Sequence, residues 1–202
     1  MKLYDTKLAP NPRRVRIFLA EKGITVPTQE ISIMGAEHKT DAYRKLSPMA
    51  LVPALELDDG RVLTETVAIC RYFEELQPEP ALMGNDAFSK ASIEMWQRRM
   101  EMELFLPVAM TFRHTHPAMA SLEEQIAAFG EVSRGRATRR IDILDADLGK
   151  SRYIAGDTFS IADITAMVAL DFARSARIKV PETATNVQRW YAEVSGRPSA
   201  AA

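Results

Sequence analysis

Residues 50–66 read ALVPALELDDGRVLTET and carry the pattern of a β-hairpin. Two short runs, residues 54–57 and 62–64, have the composition of strands and are separated by the turn sequence DDG. Pro53 stands directly before the first run, and proline lacks the N–H that the interior of a sheet requires. The segment therefore predicts a hairpin whose first strand begins at a proline.

The segments on either side of the hairpin alternate between strand and helix patterns. Residues 2–5 and 28–33 are typical of short strands. A helix is predicted between them, because Pro12 suits a first helical turn and Gly23 suits a helix end. A second helix follows the hairpin and ends near Leu76. The predicted order is βαβ, then a polar loop with at most a short helix, then ββα.

Strand patterns disappear in the second half of the chain. Residues 77–86 contain two prolines and a glycine, which is typical of a connection between domains. We predict a first domain over residues 1–78, a linker over 79–86 and an all-helical bundle over 87–202. Four apolar stripes at helical spacing predict the helices of the bundle: Ile93, Trp96, Met100 and Leu104; Ala137, Ile141, Leu144 and Leu148; Ile161, Ile164, Val168 and Phe172; and Val187, Trp190, Tyr191 and Val194.

Composition excludes several classes of protein. The chain has 202 residues and a formal net charge of −1, which argues against a nucleic-acid partner. Its single cysteine, Cys70, rules out an internal disulfide framework and fits the cytoplasm. We expect Cys70 to be a core residue, because free cysteine is often buried. No apolar run approaches the roughly 20 residues of a membrane span, and no Cys/His spacing predicts a metal site.

A capping box marks the start of one of the predicted helices. Ser160 and Asp163 have the spacing at which a hydroxyl and a carboxylate satisfy the first amides of a helix. We interpret the pair as structural.

Four segments resemble the cytosolic glutathione transferases: NPRRVRIFLAEKGI, LVPALELDDG, ETVAICRYF and YIAGDTFSIADIT. Two more, GAEHKT and RMEMELFLPVAMTFRHTHPAM, are most similar to the yeast glutathione transferase 2-type subgroup. The resemblance covers essentially the whole chain. It implies a thioredoxin-like α/β domain with a mixed four-stranded sheet, followed by an all-α domain.

The resemblance also implies a set of residues that bind glutathione. In this family the Val52–Pro53 bond is cis, and the backbone N–H and C=O of Val52 pair with an extended tripeptide as an added strand would. Glu65 and Thr66, at the start of a helix, would hold the ammonium and carboxylate of the γ-glutamyl end. Lys39 would bind the glycyl carboxylate. The alternatives are an ordinary edge proline, a helix cap at Glu65 and Thr66, and a solvated lysine.

The residue that activates the glutathione thiol is not evident from the sequence. Ala9 stands where serine-type members of the family carry a hydroxyl, and Tyr4 is predicted to lie in the core. Asp5 would repel a thiolate. Two candidates remain: Asn11, whose amide can donate to sulfur, and His114, which matches a histidine that holds a water in the yeast-type subgroup. The alternatives are a helix cap or turn residue for Asn11 and a surface histidine at a helix end for His114.

We therefore expect a glutathione S-transferase that conjugates glutathione to small apolar electrophiles, with peroxidase or dehalogenase side activity left open. The partners would be glutathione, the electrophile and a second copy of the chain, with the helices of residues 89–103 at the dimer interface. Glutathione is the co-substrate and no metal is expected. The competing hypothesis is a non-catalytic module for glutathione binding or protein interaction, because the usual activator is missing.

Overall fold

The computed structural model describes residues 1–122 and 124–202. They form two compact units, one of Met1–Leu82 with Ala201–Ala202 and one of Met83–Ala200. The division lies within the segment 79–86 that the sequence predicts as a linker. The predicted bounds of the two domains stay a prediction.

The first unit has the predicted order of strands and helices, which confirms the thioredoxin-like arrangement. Its sheet has the order β2 (Thr28–Glu30), β1 (Lys2–Asp5), β3 (Ala54–Glu56) and β4 (Val62–Thr64); β1 is parallel to β2, and the other two pairings are antiparallel. The predicted strand 28–33 is shorter than expected and ends at Glu30. The elements are β1 (Lys2–Asp5), α1 (Pro10–Lys22), β2 (Thr28–Glu30), a 3₁₀ turn (Glu37–Lys39), α2 (Asp41–Arg44), β3 (Ala54–Glu56), β4 (Val62–Thr64) and α3 (Thr66–Leu76).

Tyr4 lies in a buried cluster on one face of the sheet. It is 6% exposed and packs with Ile31, Tyr43 and Ala54, and its hydroxyl donates to Glu56 at 2.7 Å. Burial and the neighbouring carboxylate raise the pKa of Tyr4 to about 12. The prediction that Tyr4 is a core residue is confirmed.

A buried lysine joins the ends of the two long helices of this unit. The Lys22 ammonium, at the end of α1, donates to the carbonyls of Gln77 and Pro80, both at 2.7 Å. It also lies 2.6 Å from the carboxylate of Glu74 in α3, and both side chains are buried. A buried charge is tolerated when it is paired and hydrogen-bonded, as here. Cys70 of α3 is buried as predicted.

The second unit is helical, as predicted, and its four stripes line the interior except at Trp96, Phe172 and Tyr191, which are half-buried. One stripe spans a change of helix type, because residues 100–105 form a π-helix. Pro107 lies shortly after this segment. It has no N–H to donate to the carbonyl of Glu103, and in a regular α-helix its ring would clash with that carbonyl. The elements are α4 (Ala87–Arg99), the π-helix (Met100–Phe105), α5 (Leu106–Thr115), a 3₁₀ turn (Pro117–Met119), α6 (Ala127–Leu148), α7 (Ile161–Ser175), α8 (Thr185–Ser195) and a 3₁₀ turn (Pro198–Ala201).

The buried carboxylate of Asp163 joins several elements of this unit through hydrogen bonds. One carboxylate oxygen accepts from the Ile154 amide at 3.0 Å and from the Trp190 indole at 2.8 Å. The other accepts from the Ser160 amide at 2.9 Å and from its hydroxyl at 3.1 Å. The predicted capping box is confirmed. The same carboxylate also connects α7 to α8 and to the preceding loop.

We predict that Asp163→Asn destabilises the protein by roughly 2–5 kcal/mol, because an amide can accept on one side only and leaves two buried donors facing its own N–H₂ group. Urea unfolding measures the change. Asp142→Asn, which removes the same charge from an exposed position in α6, is the control and should cost well under 1 kcal/mol. Equal stability of the two variants would contradict the role of Asp163.

We also predict that the stability advantage of the wild type over Asp163→Asn shrinks as the pH rises. Burial raises the pKa of Asp163 to about 6, against the opposing effect of its four hydrogen bonds. The folded state therefore holds this proton more tightly than the unfolded chain, and the contribution is complete below about pH 4 and lost through about pH 6. Unfolding of both proteins at about pH 4.5 and pH 7.5 measures the difference, and a constant difference would contradict the raised pKa.

Candidate active site

One cavity of the first unit gathers most of the predicted site residues. It is formed where the start of α1, the loop before β3 and the turn between β4 and α3 approach one another. Lys39 does not line it. The lining residues are Asn11, Ser47, Pro48, Met49, Leu51, Val52, Pro53, Thr64, Glu65 and Thr66.

Val52 presents unused backbone groups at this cavity. The Val52–Pro53 bond is cis, as the resemblance implies, and β3 begins only at Ala54. Neither the N–H nor the C=O of Val52 has a hydrogen-bond partner within residues 1–122 and 124–202. Backbone groups without a protein partner require water or a ligand. The strand pairing thus stops where an extended peptide could continue it.

Two side chains that the sequence reasoning missed hold the residue before Val52. The hydroxyls of Tyr43 and Ser47 both donate to the Leu51 carbonyl at 2.9 Å, and the Leu51 amide donates back to Ser47 at 3.1 Å. Both side chains are buried. The one signal in the sequence was a serine next to a proline in a loop, which predicts a turn and no more.

Glu65 is the single residue between β4 and α3. It has φ 69° and ψ 123°, a backbone conformation that L-residues rarely adopt and that clusters at functional sites. Its exposed side chain makes no hydrogen bond to the first turn of α3, so the capping alternative is wrong for Glu65. Thr66, the first residue of α3, is 6% exposed. The start of α3 therefore retains amides that can bind an anion.

Asn11 lies in the first turn of α1 and lines the cavity. Its side-chain oxygen accepts from the buried guanidinium of Arg14 at 3.2 Å. A guanidinium has donors only, so it must face the oxygen of the amide and leave the N–H₂ group directed away. The cap of α1 is Ala9, without a side-chain hydrogen bond, so the capping alternative for Asn11 is wrong.

The carboxylate of Asp5 does not stand alone, contrary to the expectation that it would repel a thiolate. Asp5 is buried, and both of its oxygens accept from Arg16, at 2.7 and 2.9 Å. Arg16 also donates to the carbonyl of Lys7 at 3.1 Å. The charge of Asp5 is balanced by one nitrogen of this guanidinium, which lies between the two carboxylate oxygens, while the other terminal nitrogen donates to Lys7.

Lys39 is at the end of the 3₁₀ turn and is exposed. Its carbonyl accepts from the Arg44 side chain at 3.1 Å. The neighbouring His38 is half-buried, and burial together with the Lys39 charge lowers its pKa. The role of Lys39 toward a carboxylate stays a prediction.

His114 belongs to the second unit and lies near the end of α5. Its Nδ1 accepts from the Ile126 amide at 3.1 Å, and its ring meets Phe129 edge-on at 5.1 Å. In the neutral imidazole the proton is then on Nε2, which can donate. Gly130 permits this packing, because a Cβ there would lie 2.5 Å from the Thr115 side chain. The predicted role of His114 toward a thiol stays a prediction.

Among the described residues, no group of three or more His, Cys, Asp and Glu side chains could hold a metal ion. Within the same residues, every helix is too short or too polar to cross a bilayer.

Comparison with known proteins identifies the family. Residues 9–76 match the model of the glutathione S-transferase N-terminal domain, and residues 100–198 match that of the C-terminal domain. The chain is 37% identical to glutathione S-transferase 2 of Saccharomyces cerevisiae, over 98% of this chain and 87% of the relative. The crystal structure of Gtt2 from the same yeast superposes with a TM-score of 0.94, at 37% identity over 98% of both chains. A glutathione S-transferase domain-containing protein of Marinobacter aquaeolei VT8 also has a TM-score of 0.94, at 37% identity over 98% of this chain and 99% of that one. The chain therefore belongs to the glutathione S-transferase family.

Proposed function

We propose that this enzyme of the glutathione S-transferase family docks its co-substrate glutathione along Val52 and transfers the glutathione sulfur to a small apolar electrophile. The observation that carries the proposal is the unpaired backbone N–H and C=O of Val52, which line one cavity with the open start of α3. An extended peptide satisfies such groups as an added strand does. The cysteinyl residue of glutathione would occupy this position.

The two ends of glutathione require opposite charges. Toward the γ-glutamyl end, the Glu65 carboxylate accepts from the ammonium, and the hydroxyl and amide of Thr66 donate to the carboxylate. The dipole at the start of α3 favours the same anion. Toward the glycyl end, the exposed Lys39 supplies a cation on a flexible stem of four carbons.

The chemistry requires a thiolate. A free thiol has a pKa of about 8.5, so a donor near the sulfur must favour the ionised form. The Asn11 amide is the first candidate, since it lines the cavity and Arg14 leaves its N–H₂ group available. The second is a water held by Nε2 of His114, whose tautomer the Ile126 amide sets.

A non-catalytic module is less consistent with these observations. A module that binds no glutathione needs no open backbone groups at Val52 and no strained Glu65, and a module without chemistry needs no oriented amide at Asn11. A peroxidase or dehalogenase side activity would use the same thiolate and is left to assay.

The proposed assembly is a cytoplasmic homodimer. Phe88, Met95 and Met102 are spaced by seven residues along α4 and the π-helix, and they are 81%, 42% and 53% exposed. This spacing places them on approximately one face, within the segment predicted for the interface. An exposed apolar stripe of this kind is what a second copy would cover. The reduced, buried Cys70 fits a cytoplasmic location.

We predict that wild-type protein is retained on immobilised glutathione and that Glu65→Ala is not, because the ammonium of glutathione loses its carboxylate partner. Glu75→Ala, at the exposed far end of α3, is the control and should be retained. Retention of the Glu65 variant at the wild-type level would contradict the docking model.

A second experiment separates the two candidate activators. We predict that Asn11→Ala lowers turnover of an aryl chloride at saturating glutathione by roughly tenfold or more, because the thiolate loses a donor. Asn11→Asp keeps the contact with Arg14 and places a charge by the sulfur, so it should lower turnover further. The ultraviolet absorbance of the bound thiolate, titrated with pH, should show a raised pKa in both variants.

The turnover of His114→Ala is measured in the same aryl chloride assay. If it removes turnover and the Asn11 variants do not, the activator is the histidine-held water and the assignment to Asn11 is wrong.

A further inference from the structure

We infer that Tyr43 and Ser47 are positioning residues for the docking of glutathione, because they fix the peptide group between Leu51 and Val52. The inference rests on the proposed function, since it concerns the backbone amide that would bind the cysteinyl residue. Ser47 lines the cavity, but its hydroxyl is bonded to Leu51, and neither residue is assigned a contact with the reacting sulfur. Their effect passes through the backbone of Leu51.

The Leu51 backbone is held by hydrogen bonds from two buried residues. Leu51 itself is 50% exposed, while Tyr43 and Ser47 are 4% and 1% exposed. Both hydroxyls donate to the Leu51 carbonyl at 2.9 Å, and the Leu51 amide donates to the Ser47 hydroxyl at 3.1 Å. Two buried side chains thus determine the orientation of an otherwise exposed residue.

The Leu51 carbonyl and the Val52 amide belong to the same planar peptide group. This bond is trans, because the cis bonds of the described residues are Val52–Pro53 and Glu79–Pro80. In a trans peptide the C=O and the N–H point to opposite sides of the chain. Fixing the Leu51 oxygen on one side therefore aims the Val52 N–H on the other.

The side chain of Tyr43 is itself fixed by packing and by the backbone. Its ring packs edge-on against the ring of Tyr4 at 5.9 Å, in the cluster that also contacts the side chain of Val52. The Ser47 amide donates to the Tyr43 carbonyl at 2.9 Å, so the two anchors are also joined through the backbone. The Leu51–Val52 peptide is thus tied to the face of the sheet.

The two hydroxyls share one acceptor, which has a measurable consequence. A carbonyl oxygen accepts two hydrogen bonds, so the loss of one hydroxyl leaves the other in place. The loss of both leaves the Leu51 carbonyl without a side-chain partner. The effect of the double substitution should therefore exceed the product of the single effects.

The test compares Tyr43→Phe, Ser47→Ala and the double variant in the full-length protein. Tyr43→Phe keeps the ring and removes only the hydroxyl. Each single variant should raise the KM for glutathione roughly twofold to tenfold, the range of one net hydrogen bond. The kcat at saturating glutathione should change by less than about twofold, because positioning in the free enzyme affects capture more than turnover.

Two further variants distinguish positioning from general packing. Tyr4→Phe removes a buried hydroxyl from the same cluster, one that donates to Glu56, and should leave the KM unchanged. Ser47→Thr retains a hydroxyl and should restore a KM near that of the wild type. An unchanged KM in the double variant, or an equal rise in Tyr4→Phe, would overturn the inference.

The order parameter of the Val52 amide, measured by NMR relaxation without glutathione, tests the positioning role independently of the proposed function. The order parameter should be that of rigid backbone in the wild type, about 0.85, and fall toward about 0.6 in the double variant. If the order parameter falls in the double variant while the wild type fails to bind glutathione, the proposed function is wrong and the positioning stands. If the order parameter does not change, the positioning role is wrong even where glutathione binds.

Discussion

The orientation of one peptide group, between Leu51 and Val52, is the constraint on which the proposed site depends. A sheet normally uses the polar groups of every residue that enters it. Here the ladder of β3 begins at Ala54, and the N–H and C=O of Val52 remain open at a cavity. In the proposed docking mode these open groups must keep a fixed orientation, which the hydrogen bonds of the Tyr43 and Ser47 hydroxyls to Leu51 would provide.

Buried charged side chains hold the elements of each unit together. Lys22 joins the end of α1 to the end of α3, and both helices contribute their first turns to the cavity. Arg16 balances Asp5 at the end of β1. In the second unit, Asp163 accepts four hydrogen bonds and connects α7 to α8. Each of these groups is tolerated because it is paired or hydrogen-bonded, and each joins two elements of its own unit.

Most elements could be predicted from periodicity and turn chemistry. The hairpin at residues 54–64 follows from the DDG turn, and α1 ends at Gly23, which adopts the left-handed conformation expected of a glycine there. The errors arose where local pattern competes with packing. The strand beginning at Thr28 stops at Glu30, although the alternation continues. The stripe through Met100 is helical as predicted, but its residues 100–105 form a π-helix, because Pro107 cannot donate to the carbonyl of Glu103 in the turn before it.

Local chemistry in the chain specified the order of strands and helices and the capping box at Ser160, because each depends on neighbours within a few positions. The glutathione-binding role of Val52, Pro53, Glu65 and Thr66 came from the resemblance and stays a prediction. Tertiary structure alone decided which charges are balanced and which backbone groups stay open. The pairing of Asp5 with Arg16, the orientation of the Asn11 amide and the anchoring of Leu51 depend on side-chain directions that spacing in the sequence does not encode. These contacts exist only once the folded chain brings the side chains into contact.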